Sequence, residues 1–186
     1  MKEFYPIKIA GLERKLPICK VSDELSIAAF VLFGDVEITV AAAAELLKVA
    51  PEHDIMITAE AKGIPLVHEM VRQQGKSKYI VARKVTKLYM REVFAVEVQS
   101  ITTKQKQTLY IDADEAALMR GKRVLIVDDV VSSGGSVRAV EHLVNEAGGN
   151  VVGRMTVLAE GEARDRDDII YLEELPLLHP DGTPME

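Results

Sequence analysis

The stretch Arg123-Val-Leu-Ile-Val-Asp-Asp-Val-Val-Ser-Ser-Gly-Gly-Ser136 constrains this chain more than any other. From Val124 to Val127 the residues are apolar without alternation, the pattern of a strand covered on both faces, as strands of parallel sheets are. Arg123 to Asp128 is therefore read as a buried strand that ends in adjacent carboxylates, Asp128 and Asp129. A run of small residues, Ser132 to Ser136, follows two positions later. Val137, Val140, Leu143, Val144 and Ala147 then keep helical spacing as far as Gly148-Gly149, a natural C-terminal stop. Strand, glycine-serine turn and helix in this order make part of a βαβ unit, so other segments must supply parallel neighbours.

They do. TVAAAAELLKV, Thr39 to Val49, reads as a helix ending before Pro51, and IMITAE, Ile55 to Glu60, as a buried strand. Ile64 to Gln74 reads as a helix with Pro65 in its first turn, and Lys78 to Arg83 as a strand. Two β-rich pieces between Val93 and Ile111 suggest a hairpin whose tip is the polar run Ser100 to Gln107. Val151 to Ala159 is a further strand, Ile169 to Leu178 an edge strand, and HPDGTPME a frayed end. Alternating strands and helices imply an α/β fold in one domain, residues 1–186: a parallel twisted sheet flanked by helices on both faces. At 186 residues such a chain builds its core without disulfide or metal staples.

Ligands of these sheets bind beyond the carboxyl ends of the strands. Three such ends carry unusual chemistry here: Glu60-Ala-Lys-Gly63, Arg83-Lys84 and Asp128-Asp129. They point to one cleft. The Ser132–Ser136 turn places backbone N–H groups and hydroxyls at a helix N-terminus, which favours an anion such as phosphate. It matches neither the triphosphate loop G-x-x-x-x-G-K-[ST] nor the dinucleotide fingerprint G-x-G-x-x-G. Two acids beside a phosphate cradle face either sugar hydroxyls or a divalent cation, and the set together describes a ribose phosphate. The plainer alternative is an Asp pair that only caps the turn.

A net charge of −6 argues against a nucleic-acid surface, and 5% aromatics with no Trp argue against a row of stacking platforms. No apolar run reaches the roughly 18–20 residues that span a bilayer, and no signal-peptide core is seen, so a cytoplasmic protein is expected. Cys19, the single cysteine, cannot bridge within the chain and is expected to be buried or half-buried. The four histidines show no metal-ligand spacing.

On these motifs the chain resembles the type I phosphoribosyltransferases, whose ribose-phosphate motif runs apolar strand, acid pair, two residues, then hydroxyl-bearing residues and glycines. ITAEAKGIPL and VARKVTKL resemble the pyrophosphate loop and the following cationic segment of the purine salvage branch, the adenine, xanthine and archaeal hypoxanthine enzymes. The resemblance implies that residues 55–160 are the core, that residues 1–50 hold a hood and first helix, and that residues 161–186 add an edge strand and tail. It implies that Asp128 and Asp129 hold the ribose hydroxyls of phosphoribosyl pyrophosphate (PRPP), and Ser132, Ser133, Gly134, Gly135 and Ser136 its 5′-phosphate. Ala61, Lys62 and Gly63 would bind pyrophosphate, in a loop that in this family often contains a non-proline cis peptide. Arg83, Lys84 and Lys87 would neutralise the diphosphate, Arg83 counting with the acid pair as catalytic, and Mg²⁺ would arrive mainly on PRPP.

The same resemblance makes the run from Ser100 to Gln107 a lid, with Lys104 and Lys106 adding charge on closure or remaining solvated. Phe30 and Phe33 would stack on a purine or belong to the core, and Asp35 would touch the base or serve a turn. Adenine is the first expected base. Xanthine, hypoxanthine or guanine are the alternatives, since Ser100-Ile-Thr-Thr-Lys-Gln105 is closer to the xanthine lid whereas Glu160-Gly161 lacks the lysine of xanthine enzymes. A homodimer is implied, with no nucleic acid or membrane partner, and a PRPP-sensing regulator without catalysis is the rival class.

Overall fold

The computed structural model describes residues 2–90, 92–99 and 106–185, leaving aside the side chains of 98, 99, 106 and 107. The chain opens with an antiparallel sheet of β1 (Phe4–Ile9), β2 (Leu12–Lys20) and β3 (Ser26–Ala28), followed by helix α1 (Val36–Val49). Next come β4 (Ile55–Ala59), α2 (Ile64–Gln73) and β5 (Ile80–Ala82), then a hairpin of β6 (Val93–Gln99) and β7 (Lys106–Asp112). Helix α3 (Ala113–Met119), β8 (Arg123–Val131), α4 (Gly135–Glu146), β9 (Asn150–Glu160) and β10 (Ile170–Leu175) complete it. The central sheet runs β10-β9-β8-β4-β5 with every pairing parallel, and helices cover both faces.

β8 lies in the middle because both of its faces are apolar. Side chains alternate across a strand, so Val124 and Ile126 enter the core beneath α4, while Leu125 and Val127 enter the opposite core with α1 and α2. The helices are apolar along one stripe for the same reason: Leu66, Val67, Met70 and Val71 of α2 face one layer, and Val137, Val140, Leu143 and Val144 of α4 the other.

α1 starts three residues before the stretch read as helical, at Val36. Asp35 is its N-cap, accepting from the Ile38 N–H at 3.1 Å, and Arg14 of β2 bonds the same carboxylate at 2.7 Å. Asp35 is thus a capping and tethering residue.

The N-terminal strands were not legible in the sequence. They bury few side chains, with only Ile9 of β1 and Leu16 of β2 buried in those two strands. The end expected to fray is instead tied down. Leu178 exchanges backbone hydrogen bonds with Ser26 at 2.8 and 2.9 Å, and the Met185 N–H donates to Leu177 O at 2.8 Å. Cys19 is exposed, because β2 turns this position away from the core. No helix among the described residues is long and apolar enough to cross a membrane.

Candidate active site

β8 does not stop at the acid pair; it continues through Asp128 and Asp129 to Val131. Strand geometry sends the two carboxylates to opposite sides, so Asp128 is half-buried and Asp129 is 3% exposed. The Asp129 N–H donates to Asp128 Oδ1 at 2.9 Å. Burial first, then the Asp129 carboxylate, pushes the Asp128 carboxyl up to about 7; the same N–H and the Lys62 cation pull the other way.

Beside the acids lies the loop after β4. Its Glu60–Ala61 peptide bond is cis. Lys62 Nζ stands 2.9 Å from Asp129 Oδ2 and 3.4 Å from the Phe30 carbonyl. The contact with Asp129 is an ion pair off the line that a hydrogen bond needs, and Asp129 Oδ2 is left buried with no hydrogen-bond partner among the described residues. A buried carboxylate oxygen without a hydrogen-bond donor, in a residue that borders the cleft, is a place for a ligand donor or a cation.

Gly63 closes this loop with an ordinary backbone, φ −72° and ψ −14°. Space, not conformation, demands glycine: a β-carbon there would lie 2.2 Å from Thr58 Oγ1 and 3.2 Å from Asp128 Oδ1. At the far end, Gly134 caps α4 with φ 73°, a left-handed conformation suited to glycine. Residues 132–136 wrap a small concavity of about 140 Å³.

These parts meet. Ala61, Lys62, Lys84, Asp128, Asp129 and Ser136 line one cleft of about 410 Å³ at the carboxyl ends of β4, β5 and β8. A family model described as phosphoribosyl transferase domain matches residues 36–175. The chain belongs to this family. It is similar to the adenine phosphoribosyltransferase of Thermotoga sp. (strain RQ2), 37% identical over 101 residues, which are 54% of this chain and 56% of that one. It is also similar to the hypoxanthine/guanine phosphoribosyltransferase of Methanotorris igneus, 33% identical over 111 residues, 60% of this chain and 56% of that one. The chain spans about half the length of the curated relatives it matches. A crystal structure of adenine phosphoribosyltransferase from Thermoanaerobacter pseudethanolicus has the same fold, with TM-score 0.63 and 22% identity, covering 92% of this chain and 95% of that one.

In this phosphoribosyl transferase domain, Arg83 is one expected site residue that the fold holds apart. Its guanidinium is 2.8 Å from Glu115 of α3, its Nε donates to the Tyr89 hydroxyl at 3.1 Å, and it lies 5.6 Å over the Tyr89 ring. Lys84 remains at the cleft, its N–H bonded to Glu60 Oε2 at 3.1 Å, and Lys87 Nζ lies 3.9 Å from the same carboxylate. The Phe30 ring is core, 4% exposed, and only its carbonyl reaches Lys62. Phe33 is 54% exposed and borders a separate cavity of about 290 Å³ with Val36 and His68. Of the run from Ser100 to Gln107 expected to be a lid, residues 100–105, Lys104 among them, lie outside the described residues, and the backbone of residues 106 and 107 opens β7.

Glu115 is not among the residues expected at the site, and Glu60 and Glu160 are expected there only as parts of strand ends, without a role of their own. Glu160 ends β9 half-buried; burial pushes its carboxyl up, against a hydrogen bond from Ser132 and the nearby Lys62 charge. The signal for Glu115 was present in Asp112-Ala-Asp-Glu115, a capping box that the structure forms.

Proposed function

We propose that this domain transfers the 5-phosphoribosyl group of PRPP to a purine base in the cytoplasm, releasing pyrophosphate and forming a nucleoside 5′-monophosphate. Adenine is the first candidate, and hypoxanthine, guanine or xanthine the alternatives. The observation that carries this reading is an acid pair placed between a lysine-bearing loop in one cleft and the adjoining small cradle of residues 132–136, with Asp128 and Ser136 bordering both. The relatives' names, adenine and hypoxanthine/guanine phosphoribosyltransferase, support the purine class.

In this reading Asp128 and Asp129 accept hydrogen bonds from the ribose hydroxyls, and Ser132, Ser133, Gly134, Gly135 and Ser136 hold the 5′-phosphate. Backbone N–H groups of Ala61, Lys62 and Gly63 take the pyrophosphate, with Lys84 and Lys87 alongside. The C1–oxygen bond to pyrophosphate breaks as the base nitrogen attacks C1 and the base loses its proton. Positive charge builds on the sugar and negative charge on the leaving group. Carboxylates below the ring and lysines at the pyrophosphate therefore strengthen their contacts as the transition state forms. Arg83 would have to leave Glu115 to join them.

The residues fit Mg²⁺ brought on PRPP. Asp128 and Asp129 offer hard oxygen donors, one of them orphaned, and among the described residues no group of three or more metal-binding side chains is assembled. Such an ion takes most of its ligands from phosphates and water. When bound, it would neutralise charge on the diphosphate.

The test is a panel of adenine, hypoxanthine, guanine and xanthine with PRPP and Mg²⁺, read as pyrophosphate release. Turnover with at least one purine is expected. PRPP binding without turnover of any base would sink the enzyme in favour of a PRPP-sensing regulator. A homodimer belongs to the same reading, and sedimentation as monomer alone at micromolar concentration would remove it.

A further inference from the structure

We propose that Arg138 and Arg166 form a cationic flank of the Ser132–Ser136 cradle and bind the terminal phosphate monoester of the substrate together with the loop. This deepens the proposed function and rests on it.

The two arginines meet over Gly134. A β-carbon on this glycine would lie 2.2 Å from Arg166 Nη1 and 3.2 Å from Arg138 Nη1. The two nitrogens are therefore within about 6 Å of each other, where like charges repel. They also crowd the N-terminus of α4, whose free N–H groups carry partial positive charge. Such convergence is unfavourable in itself and becomes favourable when a dianion sits beside it.

The orientation of Arg166 is fixed from behind. Its Nε and Nη2 donate to the two oxygens of Asp168 at 2.8 and 2.7 Å, which turns Nη1 toward Gly134. Arg154 of β9 lies 3.8 Å from Asp168 and donates through Nε to Glu141 of α4 at 3.1 Å. Within this chain of contacts two acids balance two arginines. Arg138 stands one turn into α4 with no ion pair among the described residues, and it is the surplus positive charge next to the cradle. Nothing in the local pattern advertises either residue, because Arg138 comes from a helix and Arg166 from the loop after β9.

Calorimetric titration of the full chain with ribose 5-phosphate, and separately with pyrophosphate, tests the inference. Arg138→Ala and Arg166→Ala are each expected to weaken ribose 5-phosphate about tenfold, the size of one charge-assisted hydrogen bond, and to leave pyrophosphate unchanged. Arg→Lys at either position should recover part of the loss, and the double alanine variant should lose affinity less steeply with added salt. Wild-type chain that binds both ligands, with the alanine variants indistinguishable from it, overturns this inference alone. Equal weakening of both ligands also overturns it, since that marks a structural role. Wild-type chain that binds neither ligand overturns the proposed function and this inference with it.

Discussion

Asp128→Asn and Asp129→Asn are each expected to lower kcat/KM by about 10²–10³, since each removes a charged acceptor from the face of a sugar that becomes cationic. Their stability should differ. Asp128 binds a proton in the folded state between its ordinary value near 4 and about 7, where the unfolded chain does not. Folding stability from this group is therefore present at low pH and falls as pH rises through that window. Asp128→Asn removes the effect, so its Tm at pH 8 is expected to exceed that of the wild type by a few degrees. Asp129→Asn leaves Lys62 without its ion-pair partner and should not be stabilising. Steady-state kinetics with thermal unfolding at pH 5.5 and 8 checks both. Full activity in either variant would mean that the carboxylates do not hold the sugar.

Gly63→Ala should be as damaging, for a steric reason. The added carbon would lie 2.2 Å from the hydroxyl of Thr58, a residue of the packed β4 with 0% exposure. Thr58 cannot swing away, so the loop carrying Lys62 must shift, and overpacking of this kind costs about 1–3 kcal/mol. A displacement of about 1 Å in a positioning loop costs on the order of 10² in rate. Thr58→Ala in the same chain removes the clashing oxygen and is expected to restore part of the activity. Wild-type kinetics for Gly63→Ala, or no rescue in the double variant, would show that this contact does not set the loop.

Much of the sheet could be read from sequence because its cause is local. A continuous apolar run such as Val124–Val127 fits only a strand with both faces covered, and the helical stripe of residues 137–147 fits only a helix on one of those faces. The N-terminal sheet escaped because it buries little: β1 alternates, but its inward residues Tyr5 and Ile7 are only half-buried, Pro6 interrupts the run, and the outward Phe4, 48% exposed, is as apolar as they are. The anchored C-terminus escaped because HPDGTPME has no apolar periodicity: a local turn, in which the His179 N–H donates to Thr183 O and Asp181 accepts from Thr183, folds it back onto Leu178, which pairs with Ser26 across the molecule.

The candidate site divides along the same line. Sequence alone determined its chemistry: adjacent acids, a glycine-serine turn before a helix and a lysine loop are local facts, and backbone rules place each at a strand's carboxyl end. Tertiary structure alone decided the partners. It set Lys62 against Asp129, drew Arg83 onto Glu115, buried the Phe30 ring and brought Arg138 and Arg166 over Gly134. A long cationic side chain has several rotamers of similar energy, and which carboxylate it reaches depends on packing between elements distant in the chain. The pattern of neighbours along a sequence does not contain that choice.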